Sequence, residues 1–211
     1  MKVKLTNPVF VLKTNTSPDY TIQSGMSPRA RIDVSFFDAL SNYKKILLKK
    51  AKKVNVKDSN GVEKQALIIS TNKNTKYMEL DGQILGVMSY SFTKAPIKGD
   101  NYPNSYKNKP YLFINSIYSN KQYKNVGTEL VKDAVLESKK QGCEGRVCLN
   151  TSTTRPKLGS PVPFYHKLGF EASSKEAQQK IEMALSSNKQ LPPECEAITM
   201  FLPMDVINKI L

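Results

Sequence analysis

The chain has 211 residues, of which 39% are hydrophobic and 24% charged. That is enough apolar material for one core, and it excludes both a wholly disordered and a membrane-embedded chain. The formal net charge of +14 invites nucleic-acid or acidic-membrane binding. However, only Arg29, Arg31, Arg146 and Arg155 are arginines, the residue suited to bidentate phosphate and base-edge contacts, so nucleic acid is disfavoured as a partner and the excess reads mainly as a lysine-coated surface.

Residues 1–32 hold one short strand-like piece, Val9–Leu12, and then breakers at Pro18, Gly25 and Pro28, which reads as an arm. Residues 35–54 read as an amphipathic helix, because Phe36, Phe37, Leu40, Tyr43, Leu47, Ala51 and Val54 recur at steps of three and four. The opposite face carries Lys44, Lys45, Lys49, Lys50, Lys52 and Lys53, a solvated face or a surface for an anionic partner. Two hairpins follow: Val54–Lys57 with Ala66–Ser70 around Asn60-Gly61, and Lys76–Leu80 with Gln83–Phe92 around Asp81-Gly82. Residues 93–110 form a long polar loop punctuated by Pro96, Pro103 and Pro110, a candidate substrate-side loop or a disordered one.

Tyr111–Ser119 is a strand, residues 126–141 a helix closed at Gly142, and Arg146–Asn150 a strand. A Thr/Ser/Pro/Gly loop leads to a helical turn over 162–168 that ends at Gly169, then a helix over 174–187 and a last strand, Ala197–Leu202. The division is an N-terminal arm and basic helix over 1–60 and an α/β domain with a mixed sheet over 61–211.

Cys143, Cys148 and Cys195 cannot all pair, which suggests a reducing, cytoplasmic setting. No CxxC or Cys/His cluster exists, so no metal is expected. No apolar run approaches the ~20 residues that cross a bilayer. The single histidine, His166, adjoins Tyr165; neighbours on a helix point about 100° apart, so His166 reads as a surface or interface residue in preference to a base.

The chemistry centres on the strand Tyr111–Ser119 and the turn that follows it. The turn opens a helix at Asn125–Gly127, and free amides at a helix N-terminus make an anion site. It is neither a GK[ST] loop nor GxGxxG. Gln122-Tyr-Lys-Asn-Val-Gly127 resembles the R/Q-x-x-G-x-G/A signature of the GNAT superfamily of N-acetyltransferases, and Pro163-Phe-Tyr-His-Lys-Leu-Gly-Phe170 resembles its FYxxLGF segment. Met78–Tyr90 resembles the family's central hairpin. The resemblance spans about residues 60–170 and the last strand.

The resemblance implies a GNAT-like mixed, mostly antiparallel sheet in which two parallel strands, here 111–119 and 146–150, splay apart to admit acetyl-CoA, with helices on both faces. It implies transfer of acetyl from acetyl-CoA to a primary amine on a small molecule, a peptide N-terminus or a lysine, by direct attack on the thioester. The cofactor contacts it implies are Ile117, Tyr118, Ser119, Gln122, Tyr123, Lys124, Asn125, Val126, Gly127, Thr128 and Asn150, with the diphosphate on the amides of 122–128, close approach at Gly127, and oxyanion donors near Ile117–Ser119. Tyr165 stands at the general-acid position, or is a core-edge aromatic beside Phe164 and Phe170. Asn125 replaces the first glycine, and asparagine tolerates left-handed backbone. The first splayed strand carries no carboxylate, so the base is unassigned, with a water relay or Glu79 among the options. A GNAT-fold binding protein that uses its basic helix on nucleic acid, a membrane surface or an acidic protein is the alternative.

Overall fold

The computed structural model describes residues 51–71, 74–151, 160–187 and 197–211. The arm and nearly all of the expected 35–54 helix lie outside them. Lys52, Lys53 and Val54, expected to end that helix, instead begin strand β1, Lys52–Lys57. There Val54 and Val56 are buried while Lys53, Asn55 and Lys57 are exposed. A two-residue alternation of this kind fits a strand with one face on the core, and the helical period over these residues loses to it. β1 falls within the 1–60 segment as the sequence divides it, yet it forms one edge of the sheet.

β2 (Glu63–Ser70), β3 (Thr75–Leu80), β4 (Gln83–Thr93) and β5 (Tyr111–Ser119) continue as an antiparallel meander. The β3–β4 turn is Asp81-Gly82, both at positive φ (51° and 85°), which is why an Asp-Gly pair sits there. Helix α1 (Val126–Lys140) crosses back over the sheet to β6 (Val147–Thr151). Gly142, at φ 76°, terminates it. The short helix α2 (Val162–Lys167), strand β7 (Glu171–Ala172), helix α3 (Lys175–Ser186), strand β8 (Ile198–Phe201) and helix α4 (Met204–Ile210) complete the chain. The strand order is β1-β2-β3-β4-β5-β6-β8-β7, and β5–β6 is the one parallel pair. This is the mixed, mostly antiparallel sheet expected from the sequence. β7 and α4 were not foreseen.

The core lies on both faces. Val126, Leu130, Val131, Ala134 and Val135, the stripe read for α1, are buried with Val54, Ile68, Met78 and Leu112 on one face. Ile97, Tyr106, Tyr111, Cys148 and Phe201 form a smaller cluster. The 93–110 segment is therefore neither loose nor disordered. It contains a 3-10 turn, Asn104–Tyr106, and the Tyr106 hydroxyl donates to the Leu202 carbonyl at 2.7 Å. Asn101 and Lys98 bond to Ala172 and Ser173, holding the segment on β7. Arg146, 1% exposed, donates to the carbonyls of Pro110 and Ser105 and pairs with Glu144 at 2.7 Å.

A buried ionic cluster fastens α1 to the sheet. Lys76 on β3 is 3% exposed, and its Nζ lies 2.6 Å from Asp133 and 3.1 Å from Glu137, with Lys52 adding a 3.3 Å contact to Asp133. Burial acts to lower the Lys76 pKa, but the charges and hydrogen bonds of Asp133 and Glu137 outweigh it and the net shift is upward. Among the described residues, no helix is long and apolar enough to cross a membrane.

Candidate functional site

β5 and β6 pair only at Leu112, Phe113 and Ile114 with Val147, Cys148 and Leu149. β5 then runs on to Ser119 and β6 to Thr151 without further pairing between them, so the two parallel strands part. β4 stays paired with β5 throughout, from Thr93↔Tyr111 to Gly86↔Ser119. Its register shifts between Ser89 and Tyr90, leaving Asn115 as the extra residue. A bulge of this kind bends a strand, and it lies where β5 leaves β6. Ile117, Tyr118 and Ser119 thus have β4 as their strand neighbour and lie beyond the last β5–β6 pair among the described residues. Asn150 lies on β6 beyond Leu149, the last residue paired with β5, and is exposed, its Oδ1 accepting from the Thr199 hydroxyl at 2.9 Å.

The turn after β5 is organised by Asn120, which the sequence reading passed over. Asn120 is 6% exposed. Its amide donates to the Leu85 carbonyl, its Oδ1 accepts from the Gln122 amide at 2.9 Å, and its carbonyl accepts from the Tyr123 amide at 3.5 Å. The spacing Asn120-x-Gln122 is an Asx turn, a signal that was present in the sequence. The Lys124 amide donates to the Lys57 carbonyl at 2.7 Å, and the Lys57 amide donates to the Lys124 carbonyl at 3.3 Å. The amides of Gln122, Tyr123 and Lys124, expected to face a diphosphate, are therefore committed within the chain. The physical reason is the edge of β1, whose last residue closes on the turn.

The donors of 125–128 are different. Asn125 is the N-cap of α1 at φ 70°, ψ −3°, the left-handed conformation anticipated for it. The first intrahelical bond is Glu129 N–H to the Asn125 carbonyl at 2.9 Å. The amides of Asn125, Val126, Gly127 and Thr128 precede it, and they sit at the positive end of a fifteen-residue helix dipole. Lys57 and Lys124, both exposed, flank this end.

Gly127 also packs against the PFYHKLGF segment. A Cβ placed on it would lie 2.9 Å from Phe164 Cζ, so the room it leaves is filled by an aromatic ring of the PFYHKLGF segment. The two sequence segments that carry the resemblance meet at this contact. Gly86 plays the same part for β4, since a Cβ there would lie 2.6 Å from Val126 Cγ1 and 2.9 Å from the Tyr118 carbonyl. It lets the first turn of α1 settle on the strand.

Tyr165 is 6% exposed. Its ring lies edge-on to Phe164 and Phe170, with centroids 5.1 and 5.6 Å apart, so it is part of the core as well as of the motif. His166 is half-buried. Glu79 is 7% exposed and accepts from the Gly82 amide, which ties it to the β3–β4 turn. Cys148 is fully buried, and burial pushes its thiol well above the ordinary cysteine value. Among the described residues no group of three metal-ligating side chains gathers.

No family model and no curated protein matches the chain. Among solved structures, Arabidopsis thaliana Naa50 in complex with the bisubstrate analogue CoA-Ac-MVNAL is similar at 15% identity and a TM-score of 0.38, covering 62% of this chain and 73% of that one. Chaetomium thermophilum Naa20 in complex with a bisubstrate analogue is similar at 17% identity and a TM-score of 0.41, covering 64% and 68%.

Proposed function

We propose that the chain is an acetyl-CoA-dependent N-acetyltransferase of the GNAT type, acting on a primary amine in a cytoplasmic setting. The observation that carries this reading is the parting of β5 from β6 beside a helix N-terminus whose first four amides precede the intrahelical ladder. The sequence resemblance at Gln122–Gly127 and Pro163–Phe170 names the ligand that fits such a place. Acetyl-CoA supplies an acetyl group activated as a thioester. The chain's own residues do the rest. The amides of Asn125–Thr128 hold the diphosphate, with Lys57 and Lys124 adding positive charge at its rim. The edge of β5 at Ile117–Ser119 holds the arm and presents preorganised N–H donors where negative charge develops. Tyr165 gives its phenolic proton to the departing sulfur.

The second reading is a GNAT-fold binding protein with weak or no turnover. What favours it is the absence of a carboxylate on β5, together with the commitment of Glu79 to the hairpin turn. That reading assigns the chain nucleic acid, a membrane surface or an acidic protein as the partner of its basic helix, with turnover weak or absent. At about 100 times its Kd, acetyl-CoA should add ~2.7 kcal/mol of stability, roughly 5–10 °C in a melting scan for a chain of this size. No shift at millimolar acetyl-CoA sinks the first reading. A shift without CoA release across a panel of small amines, lysine peptides and free peptide N-termini leaves the second.

A further inference from the structure

Between the segment that precedes β5, the start of β7 and the corner joining β8 to α4 lies a cleft of about 300 Å³, at the lower end of ligand-site volumes. Phe201, fully buried, lies at its base, Tyr102, Pro103 and Pro203 make its apolar walls, and Asp100 and Glu171 bring carboxylates to it. Phe201 registers with Cys148, and Cys148 with Phe113, inside the paired stretch of β5 and β6. The cleft therefore borders the closed end of that pair and not the end where the strands part.

Its walls are fixed by the backbone. The Asn101 amide donates to the Ser173 carbonyl at 2.8 Å, and a Cβ on Gly99 would strike that same carbonyl oxygen, so residues 99–101 lie directly against the end of β7. Asp100 accepts from the Lys175 amide through Oδ1 at 2.9 Å. A site held in place before a ligand arrives loses little in ordering itself. Two polar groups at the cleft are nevertheless unused. Neither the Glu171 carboxylate nor the Tyr102 hydroxyl has a hydrogen-bond or ion-pair partner among the described residues. The chain carries a net +14, yet no lysine or arginine is among the residues that line this cleft. Burial, Asp205 and Glu182 all push the Glu171 carboxyl upward, and His166 opposes them only in part.

These features select a ligand. An unpartnered carboxylate crowded by others gains from an incoming cation. The acids do not gather as a set of three that could hold a metal ion, and aromatic and proline walls suit an organic cation better than a hydrated metal. We infer that the cleft is a binding site for a small aliphatic ammonium, whose nitrogen donates to Glu171 and Asp100 and whose short apolar body lies against Phe201, Pro103 and Pro203. The site is separate from the place where acetyl transfer is proposed, and it does not depend on that reading.

The experiment titrates the full chain, without acetyl-CoA, by calorimetry. The probes are 1,4-diaminobutane, 1,4-butanediol, which has the same span without the charge, and N-acetyl-lysine methylamide, which presents a lysine side chain. The diamine should bind and the diol should not. Glu171→Gln should weaken the diamine by about tenfold or more, whereas Glu182→Gln, outside the lining, should change it by less than about threefold. Glu171→Gln should also melt at or above the unsubstituted chain, by up to about 3 °C, because it removes a crowded carboxylate. Tighter binding of the diamine assigns a free amine, and tighter binding of the lysine derivative assigns a protein side chain. Unchanged diamine affinity in Glu171→Gln, which is the result expected of an amine bound only as acetyl acceptor, would overturn the assignment. So would equal binding of the diol, a lower melting point in Glu171→Gln, or no binding of either amine at millimolar concentration.

Discussion

The two halves of the sheet are held together in opposite ways. From β1 to β5 the strands form a meander in which each is paired along most of its length, and α1 is bolted to it by Lys76, Asp133 and Glu137. Between β5 and β6 the pairing stops after Ile114 and Leu149, and the residues beyond have nothing of the other strand to bond. A sheet that leaves part of a ladder unmade must be rigid elsewhere, because unpaired backbone is costly when buried. The meander and its ionic cluster provide that rigidity, and they set the N-terminus of α1 beside the opening.

The largest effect is expected where the rigid half is broken. Lys76→Met removes the cation shared by Asp133 and Glu137 and leaves Asp133 only its contact with Lys52; loss of one partner of such a buried cluster costs about 3–5 kcal/mol. Chemical denaturation should show that loss, and a change of less than about 1 kcal/mol would show that the cluster is not what secures α1. In the open half the expected effect is on rate. Tyr165→Phe should lower kcat by about a hundredfold if the phenol is the proton donor, with the ring still packed beside Phe164 and Phe170. Unchanged turnover would make Tyr165 a core residue alone.

The smallest effect is a pH dependence of the rigid half. Burial acts to raise the Glu137 pKa, but the Gln141 hydrogen bond and Lys76 lower it further, so the net shift is downward. Its folded value lies below its unfolded value, near 4.3. Its contribution is therefore present above that unfolded value and is lost as pH falls through the folded one. Glu137→Gln should flatten the acid limb of stability measured between about pH 3 and 6. An acid limb identical to that of the unsubstituted chain would assign it to other carboxylates.

The same contrast decides what was legible. Strands with one buried face announce themselves by alternation, and Asp81-Gly82 and Gly142 announce the turns they make, so β2 to β5 and α1 fall close to where the sequence places them. The helical reading over 35–54 fails at Lys52–Val54, because the helical spacing of Ala51 and Val54 cannot outweigh the alternation of Val54 and Val56 once a partner strand exists. β7 has two residues, too few to carry any pattern. α4 did carry one, Val206, Ile207 and Ile210 at helical steps, but its seat is made by Gly145 and Gly169, where a Cβ would strike Ile207 and Val206. At the site, Asn125 could be read as a left-handed residue from its type alone. That Gln122, Tyr123 and Lys124 spend their amides inside the chain could not, since the acceptor for Lys124 is Lys57, far away in sequence.

The sequence by itself determined the order of the longer elements from β2 to α3, the apolar stripe of α1, the left-handed residue at its start and the two motif segments Gln122–Gly127 and Pro163–Phe170. Local propensity and periodicity suffice for these, because each depends on residues within a turn or two of one another. Only the tertiary structure decided that the 93–110 segment is pinned by Tyr106 and Asn101, that Phe164 fills the room left at Gly127, that Glu79 serves a turn, and that Glu171 lines a cleft with Asp100 and Phe201. Each of these is a match between atoms distant along the chain. Whether a polar group is satisfied depends on what the fold brings to it and not on its neighbours in sequence.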